Sequence, residues 1–483
     1  MDEGVQGVQV RAADGRRSST RAARAVLAAA ARPVDPALAE RVLAEPRWRQ
    51  AYARHVRDLV VAGRADPVAV ARAGLAAAQD EHELDGRPVR EAVRSAPAAP
   101  LGTVVVRGEG ERERELALPH AGGVVRGDAL LRLADAWVAR DVVEPSVAAA
   151  LRDLVAEPER LDLAGRTVAL LGAGAEMSPY AALTRWGASV VAVDLPRPDV
   201  QRRLLATARA GAGRVVLPVR GELADEWTGP DALADGAGAD LLTEAAAVRD
   251  LLARQEGDLV VGNHAYAPGA AFVRLAVAAD AVVAALLEER AGTGVASLAT
   301  PTDAYAVPPE VVAAARARWR RRGPLGALQA PVRVLSRGRA FRPAYADGDA
   351  VADVLVVQQG PNYALAKALQ RWRGVVAQAD GVPVSVGVAP PTATRSVLQN
   401  RVLAAAYSGA RRFGVETFAP ATAATLMAAL LVHDLTSPPP AGDLLAAGAA
   451  HGGLWRLPYE PRSVLPAAVA LGARHLLGGR AGS

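Results

Sequence analysis

The spacing of hydrophobic residues along this chain changes character near residue 165. Before that point, Ala, Leu and Val recur every three or four positions, which predicts helices over residues 20–31, 36–62, 67–80 and 127–155. Two apolar runs, residues 103–107 and 115–118, flank a charged Gly-Glu-Gly turn and predict a strand pair. Residues 1–160 are therefore predicted to form a mostly helical N-terminal domain.

Beyond residue 165, short β-branched runs alternate with alanine-rich helical stretches. Seven runs predict strands, at residues 167–171, 189–193, 214–217, 258–261, 294–298, 353–357 and 383–388. Strands that alternate with helices typically form a parallel sheet with helices on both faces, so we predict an α/β fold with a doubly wound parallel sheet. This domain would span residues 161–435. An insertion at about 303–350 would carry a helix over 308–321, and a tail would follow at 436–483.

Composition narrows the classes of function. The 483 residues are 51% hydrophobic and only 4% aromatic, which predicts a sizeable core built from Ala, Val and Leu. The absence of cysteine excludes disulfides and thiolate nucleophiles, and the seven histidines never fall in a tight ligand spacing, so we predict no metal site. The net charge of +5 could suggest a polyanion, but the one basic cluster, residues 316–322, is interpreted as the solvated end of a helix. We therefore predict no nucleic-acid partner.

The same composition gives expectations about location. The start of the chain lacks a basic segment followed by an apolar one, and the apolar stretch at 418–432 is too short to span a bilayer. We therefore expect a cytoplasmic protein without a membrane partner, and we leave a homo-oligomer open.

A glycine turn follows the first strand of the predicted sheet. Gly172 and Gly174 lie between that strand and a helical stretch, and Asp194 ends the next strand, twenty residues after Gly174. Such a turn lets the backbone approach a pyrophosphate held at a helix N-terminus, while the acid accepts the ribose hydroxyls. This resembles the dinucleotide site of a Rossmann-like domain and favours NAD over NADP. Met177 stands where a third glycine is usual, and the Glu176 carboxylate would compete with a diphosphate.

Lys367 is the only lysine of the chain, since 55 of the 56 basic residues are arginine. It follows Tyr363 by four positions, so both side chains would lie on one face of a helix that Asn362 could cap. A nearby ammonium would lower the pKa of the phenol toward neutrality, where the phenol can exchange a proton with a substrate hydroxyl or carbonyl. The pair therefore predicts acid/base chemistry.

Five segments after the glycine turn resemble, in family order, the short-chain dehydrogenase/reductase family. They are the run around Asp240, the turn at Asn263, the strand ending near Thr300 and Thr302, the Tyr-x-x-x-Lys match at 363–367, and residues 381–394. The resemblance covers about residues 165–435.

The resemblance implies a role for each matching residue. Asp240 would meet the adenine, Asn263 would hold the turn, and Lys367 would bond the nicotinamide ribose. Tyr363 would be the catalytic acid/base, with Thr300 or Thr302 in place of the family's serine. The implied activity is an NAD-dependent oxidoreduction of an alcohol/carbonyl pair in a small molecule, or an epimerisation or dehydration assisted by the bound cofactor.

Departures from the family keep alternatives open. No asparagine lies at the expected place on the helical stretch 270–289, and Ser297, Gln358 or Gln359 could supply the missing polar groups. A methyltransferase-like protein that binds S-adenosylmethionine is one alternative, because that ligand has no pyrophosphate for Glu176 to repel. A non-catalytic protein on a degenerate dehydrogenase scaffold is another.

Overall fold

The protein has an α/β fold. The computed structural model describes residues 6–220, 230–439 and 444–478. Its strands are β1 (Val8–Val10), β2 (His82–Leu84), β3 (Arg87–Pro88), β4 (Leu101–Arg107), β5 (Ala117–His120), β6 (Gly123–Arg126), β7 (Arg166–Leu171), β8 (Ser189–Val193), β9 (Arg214–Arg220), β10 (Asp258–Asn263), β11 (Thr293–Ala299), β12 (Ala304–Ala306), β13 (Val351–Asp353) and β14 (Val384–Val388).

The helices alternate with the strands from β7 onward. They are α1 (Ser19–Ala31), α2 (Pro36–Ala44), α3 (Trp48–Ala62), α4 (Pro67–Asp80), α5 (Val89–Arg94), α6 (Gly127–Ala139), α7 (Pro145–Ala156), α8 (Tyr180–Trp186), α9 (Pro198–Ala210), α10 (Pro230–Gly236), α11 (Leu241–Ala253), α12 (Ala270–Glu289), α13 (Pro309–Arg320), α14 (Pro324–Leu335), α15 (Pro361–Ala379), α16 (Arg395–Gln399), α17 (Arg401–Ala410), α18 (Pro420–Thr436) and α19 (Pro461–Gly478).

The main sheet has seven strands in the order β14-β11-β10-β7-β8-β9-β4. The first six are mutually parallel, and β4 pairs antiparallel with β9 at the edge. Two sequence predictions were wrong here. The run at 103–107 joins this sheet instead of pairing with 115–118, and the strand predicted at 353–357 is replaced by β13, which pairs with β12 in a separate two-stranded sheet.

Helix starts follow local capping chemistry. Ser18, Asp35 and Asp66 each accept a hydrogen bond from a first-turn backbone N–H of α1, α2 and α4. The single helix predicted over 36–62 is two helices, α2 and α3. Asn362 does not cap α15, because Gly360 occupies the N-cap and Pro361 the first helical position.

Alternate residues of the central strands point to opposite faces of the sheet. Leu171, Val193 and Val261 belong to one hydrophobic cluster, whereas their neighbours Leu170, Ala192 and Val260 belong to a second one. The first cluster also contains residues of α1 to α4, α12 and α15, and the second contains residues of α6 to α9 and α18. Both faces are therefore covered, and the N-terminal helices share a core with the sheet. The domain boundary near residue 160 stays a prediction.

Among the described residues, α12 is the one helix long and apolar enough to cross a membrane. It is mostly buried, and its Asp280 forms an ion pair with Arg373 of α15 at 2.7 Å and accepts a hydrogen bond from Gln79 of α4 at 2.7 Å. A charge that is buried and paired inside the protein marks α12 as a core helix of this fold.

Candidate functional site

A cleft of about 710 Å³ opens at the carboxyl ends of the parallel strands. Residues that follow or end β7, β8, β10 and β11 line it, which is where ligands bind in open parallel sheets. The cleft brings together the ten residues to which the sequence assigned a catalytic or cofactor-binding role: Gly172, Gly174, Met177, Asp194, Asp240, Asn263, Thr300, Thr302, Tyr363 and Lys367. Their separate roles remain predictions.

The glycine turn lies against the loop after β10. Gly172 has a φ of +84°, and a Cβ added there would meet the Ala265 backbone at 2.6 Å. Asp194 accepts hydrogen bonds from the backbone N–H of Gly174 at 2.7 Å and of Leu195 at 2.8 Å. Burial raises the pKa of the Asp194 carboxyl, and these two hydrogen bonds oppose the rise. The acid is therefore fixed beside the turn, with a backbone hydrogen bond to each carboxylate oxygen.

Substituting Gly172 tests how tightly this turn is built. We expect Gly172→Ala to lower the free energy of unfolding by about 2–4 kcal/mol, because the methyl group adds a backbone clash to the cost of a positive φ. Gly414→Ala is the matched control, since Gly414 has a φ of +89° with open space around it, and should cost about 1 kcal/mol. Equal losses in denaturant titrations of the two variants would contradict the close packing of the turn.

The helix expected directly after the turn begins later than predicted. The first helical residue of α8 is Tyr180, and α8 has only seven residues. A pyrophosphate in the cleft would therefore not meet the end of α8, which corrects the sequence-based account. The backbone N–H groups of residues 172–175 already donate hydrogen bonds within the protein.

The remaining predicted cofactor residues have defined partners. Asp240 caps α11 by accepting a hydrogen bond from Leu242 N at 2.9 Å, and the Asn263 side chain accepts one from Ala265 N at 3.3 Å. Met177 is half-buried beside the turn. Arg197 pairs with Asp199 at 3.2 Å, while Arg203 lines the cleft near Asp194.

Glu176 does line the cleft, but its carboxylate is engaged. It accepts a hydrogen bond from the backbone N–H of Arg395, the first residue of α16, at 2.9 Å, and lies 3.5 Å from the Arg395 guanidinium. The Arg395 side chain is 79% exposed, so it offsets little of this charge, and the repulsion of a diphosphate expected from the sequence remains.

Tyr363 and the two threonines form the opposite side of the cleft. The Thr300 and Thr302 hydroxyls lie 3.0 Å apart, and the Thr300 side chain interacts with the Tyr363 phenol. The ring of Tyr363 packs against Phe272 with centroids 5.6 Å apart. Burial raises the pKa of Tyr363, and the interaction with Thr300 only partly offsets the rise. The expected lowering of this pKa toward neutrality was wrong for this structure.

Lys367 lies one helical turn further along α15. Its ammonium donates hydrogen bonds to Leu298 O at 3.1 Å and to Gln370 Oε1 at 2.8 Å. An ammonium has three protons, so one more donor remains for a ligand. Burial lowers the pKa of Lys367 to about 8, and the charge of Asp303 opposes this shift. Lys367 is thus a cation whose charge can change near physiological pH.

Two side chains of this site were not singled out from the sequence. His264 lines the cleft, and both of its ring nitrogens are buried without a hydrogen-bond partner among the described residues. Burial and the charge of Lys367 lower the pKa of His264 to about 3, so the ring is neutral. Gln370 was missed because its role depends on contact with Lys367. The position of His264 directly after Asn263, at a strand end, was an available signal.

The candidates for missing polar groups separate in the structure. Gln358 and Gln359 line the cleft, whereas Ser297 lies in a small space beside Asp280, Gln370 and Arg373, outside it. Residues of α16 and α17, including Val397, Leu403 and Tyr407, cover the cleft. The insertion instead provides Asp303, which forms a buried ion pair with Arg371 beneath the site.

No protein-family model matches this sequence, and a search of curated proteins finds no match either.

Proposed function

We propose that this protein is an NAD-dependent oxidoreductase of the short-chain dehydrogenase/reductase type that acts on an alcohol/carbonyl pair. The observation that carries the proposal is the convergence of Gly172, Asp194, Thr300, Tyr363 and Lys367 in one cleft. These residues come from segments up to 195 positions apart in sequence (172 to 367), and the sequence alone placed them in one site.

The order of the parallel strands supports a Rossmann-like, doubly wound arrangement. On one side of β7 the sheet continues with β8 and then β9, and on the other side with β10, β11 and β14. The order of the strands along the chain therefore reverses between β7 and β10. In such sheets a dinucleotide lies across that reversal, at the carboxyl ends of the strands. Gly172 and His264 follow these two strands directly.

The residues present fit a dinucleotide. Gly172 and Gly174 would let the backbone approach a diphosphate. Asp194, beside Gly174, would hold the adenosine ribose, which favours NAD. Lys367 keeps one free donor for the nicotinamide ribose. When bound, the nicotinamide supplies or accepts a hydride. Tyr363 exchanges the accompanying proton with the substrate oxygen, and Thr300 or Thr302 orients that oxygen.

The protonation state of Tyr363 at neutral pH is the one that carbonyl reduction requires. Because burial raises the pKa of Tyr363, its phenol stays protonated at neutral pH and acts as an acid toward a carbonyl oxygen. The Lys367 ammonium would stabilise the negative charge that develops on that oxygen. We assign the chain to the cytoplasm, where reduced nicotinamide is available.

The rate of carbonyl reduction should depend on pH through Lys367. Since the pKa of Lys367 is about 8, we expect kcat to fall by about tenfold between pH 7 and pH 9 as the ammonium loses its proton. Neither the neutral His264 nor the protonated Tyr363 changes charge in that interval. Stopped-flow rates of the wild type should show this decrease between pH 7 and pH 9, and the residual rate of Lys367→Met should not change with pH in that interval. The same decrease in the variant would mean that another group titrates.

Ligand titration tests the proposal itself. NADH fluorescence should increase and saturate when NADH is added to the full chain, and Asp194→Leu should weaken that binding by at least tenfold. If S-adenosylmethionine binds by calorimetry and NADH does not, a methyltransferase-like protein replaces the proposal. If neither binds, the chain is a non-catalytic relative.

A further inference from the structure

An apolar cavity of about 100 Å³ adjoins the cleft on the side of Thr302. Thr302, Leu403 and Tyr407 line both spaces, so the cavity continues the cleft beyond the threonine pair. Its walls come from α17, α19, the segment after β13 and residues 454–457. These elements belong to parts of the sequence in which no motif indicated chemistry.

The lining determines what the cavity can hold. Apart from Thr302, Tyr407, Thr417 and Arg462, every lining side chain is apolar. Arg462 forms an ion pair with Asp353, so its charge is already compensated. A charged group would lose its hydration there and meet only neutral hydroxyls, of which that of Thr417 has no hydrogen-bond partner among the described residues. An alkyl group loses no hydrogen bonds on entering.

Direct backbone contact between α17 and α19 fixes the distance between two walls of the cavity. A Cβ at Gly409 would clash with the Ala468 carbonyl, and one at Gly472 would clash with the Ala405 carbonyl, so the two helix backbones already touch. Helices in backbone contact cannot move closer to fill a neighbouring void. The cavity is therefore a stable feature of the packing.

We propose that this cavity binds the neutral aliphatic tail of the substrate whose oxygen Tyr363 protonates. This inference rests on the proposed function. An apolar cavity of roughly 150 Å³ is known to hold benzene, which has six carbons, so a space of about 100 Å³ accommodates a tail of about four carbons. The substrate class is accordingly an aliphatic carbonyl compound or alcohol with a short, uncharged tail.

Binding of 1-alkanols to the full chain, without nucleotide, tests the cavity independently of the cofactor. Calorimetric titration with 1-propanol through 1-octanol should show the affinity rising about fourfold per methylene up to about 1-pentanol and then levelling. Because no nucleotide is added, the result does not depend on whether NADH binds. If alkanols bind but NADH does not, the cavity is an apolar binding site and the proposed oxidoreductase activity is wrong. If NADH binds but alkanols do not, only the proposed tail site is wrong.

Cavity-filling variants locate the bound alkanol. Leu465 is half-buried and lines the cavity, so Leu465→Trp should weaken 1-hexanol binding by at least tenfold while NADH affinity stays within twofold of the wild type. Leu471→Trp, at a 37% exposed position of the same helix, is the matched control and should bind 1-hexanol normally. Ala410→Leu provides a second filled cavity with a smaller change, should Leu465→Trp fail to fold.

Two results would overturn the inference. One is an affinity that does not depend on alkanol length. The other is 1-hexanol binding that Leu465→Trp and Ala410→Leu leave unchanged, which would place the alkanol elsewhere on the protein.

Discussion

Replacing Tyr363 by phenylalanine is expected to lower kcat for carbonyl reduction by a factor of about 10² to 10⁴, which is the usual contribution of a positioned acid. Phenylalanine keeps the ring that packs against Phe272 and removes only the hydroxyl that meets Thr300. The affinity for NADH should remain close to that of the wild type, because none of the proposed nucleotide contacts uses the phenol. Single-turnover rates and NADH fluorescence titrations measure the two quantities separately.

Tyr266→Phe is the matched control for this prediction. Tyr266 lines the same cleft and also contacts Phe272, with ring centroids 5.0 Å apart, but it is 54% exposed. The control should retain nearly full turnover. If Tyr363→Phe loses stability and nucleotide affinity together, Tyr363 is a packing residue and the acid must be sought elsewhere.

Replacing Lys367 by arginine is expected to lower kcat at least tenfold although the positive charge is kept. The ammonium fits between Leu298 O and Gln370 Oε1, and a planar guanidinium is bulkier and cannot place a single donor there. Near-normal turnover of Lys367→Arg would remove the role assigned to this residue. Kinetics with NADH and an aliphatic aldehyde provide the measurement.

Replacing Lys367 by methionine should leave only a residual rate of the same activity yet stabilise the fold at neutral pH. The pKa of Lys367 is about 8 in the folded protein, whereas that of a lysine in an unfolded chain is about 10.4. Between those values the unfolded state binds more protons, so the stability of the wild type rises with pH there. The methionine variant should therefore gain up to about 3 kcal/mol over the wild type below pH 8.

That advantage should disappear as the pH approaches 10.4. Denaturant titrations of both proteins at pH 7 and pH 10 would show the convergence, while shifts from tyrosines cancel in the comparison. A stability difference that is constant with pH would mean that Lys367 is not a buried cation. Such a difference would also weaken the case that Lys367 is kept for function at a cost in stability.

Sequence reasoning located the parallel strands because β-branched runs of four to six residues are local signals. It could not place residues 103–107, since pairing with β9 depends on contacts more than a hundred positions away. The strand predicted at 353–357 failed for a related reason. Its apolar residues pack beside α17 and α19 and line the apolar cavity next to Thr302 instead of extending the sheet.

In the site, too, some features could be predicted from the sequence and others depend on the folded structure. The residues themselves could be named from motifs and spacing, because the carboxyl ends of parallel strands meet at one edge of a sheet. The pKa of Tyr363 could not be predicted, since burial raises it, only the interaction with Thr300 lowers it, and burial is a property of the folded chain. The partners of Lys367 and the unpaired ring of His264 likewise arise only from tertiary contacts.

A crystal structure of the full chain with bound NADH tests the central claim most directly. The account predicts that the adenosine ribose contacts Asp194, that the diphosphate lies over Gly172 and Gly174, and that the nicotinamide ring lies beside Tyr363 and Lys367. A nicotinamide ring that lies away from Tyr363 and Lys367, or NADH bound outside this cleft, would contradict it.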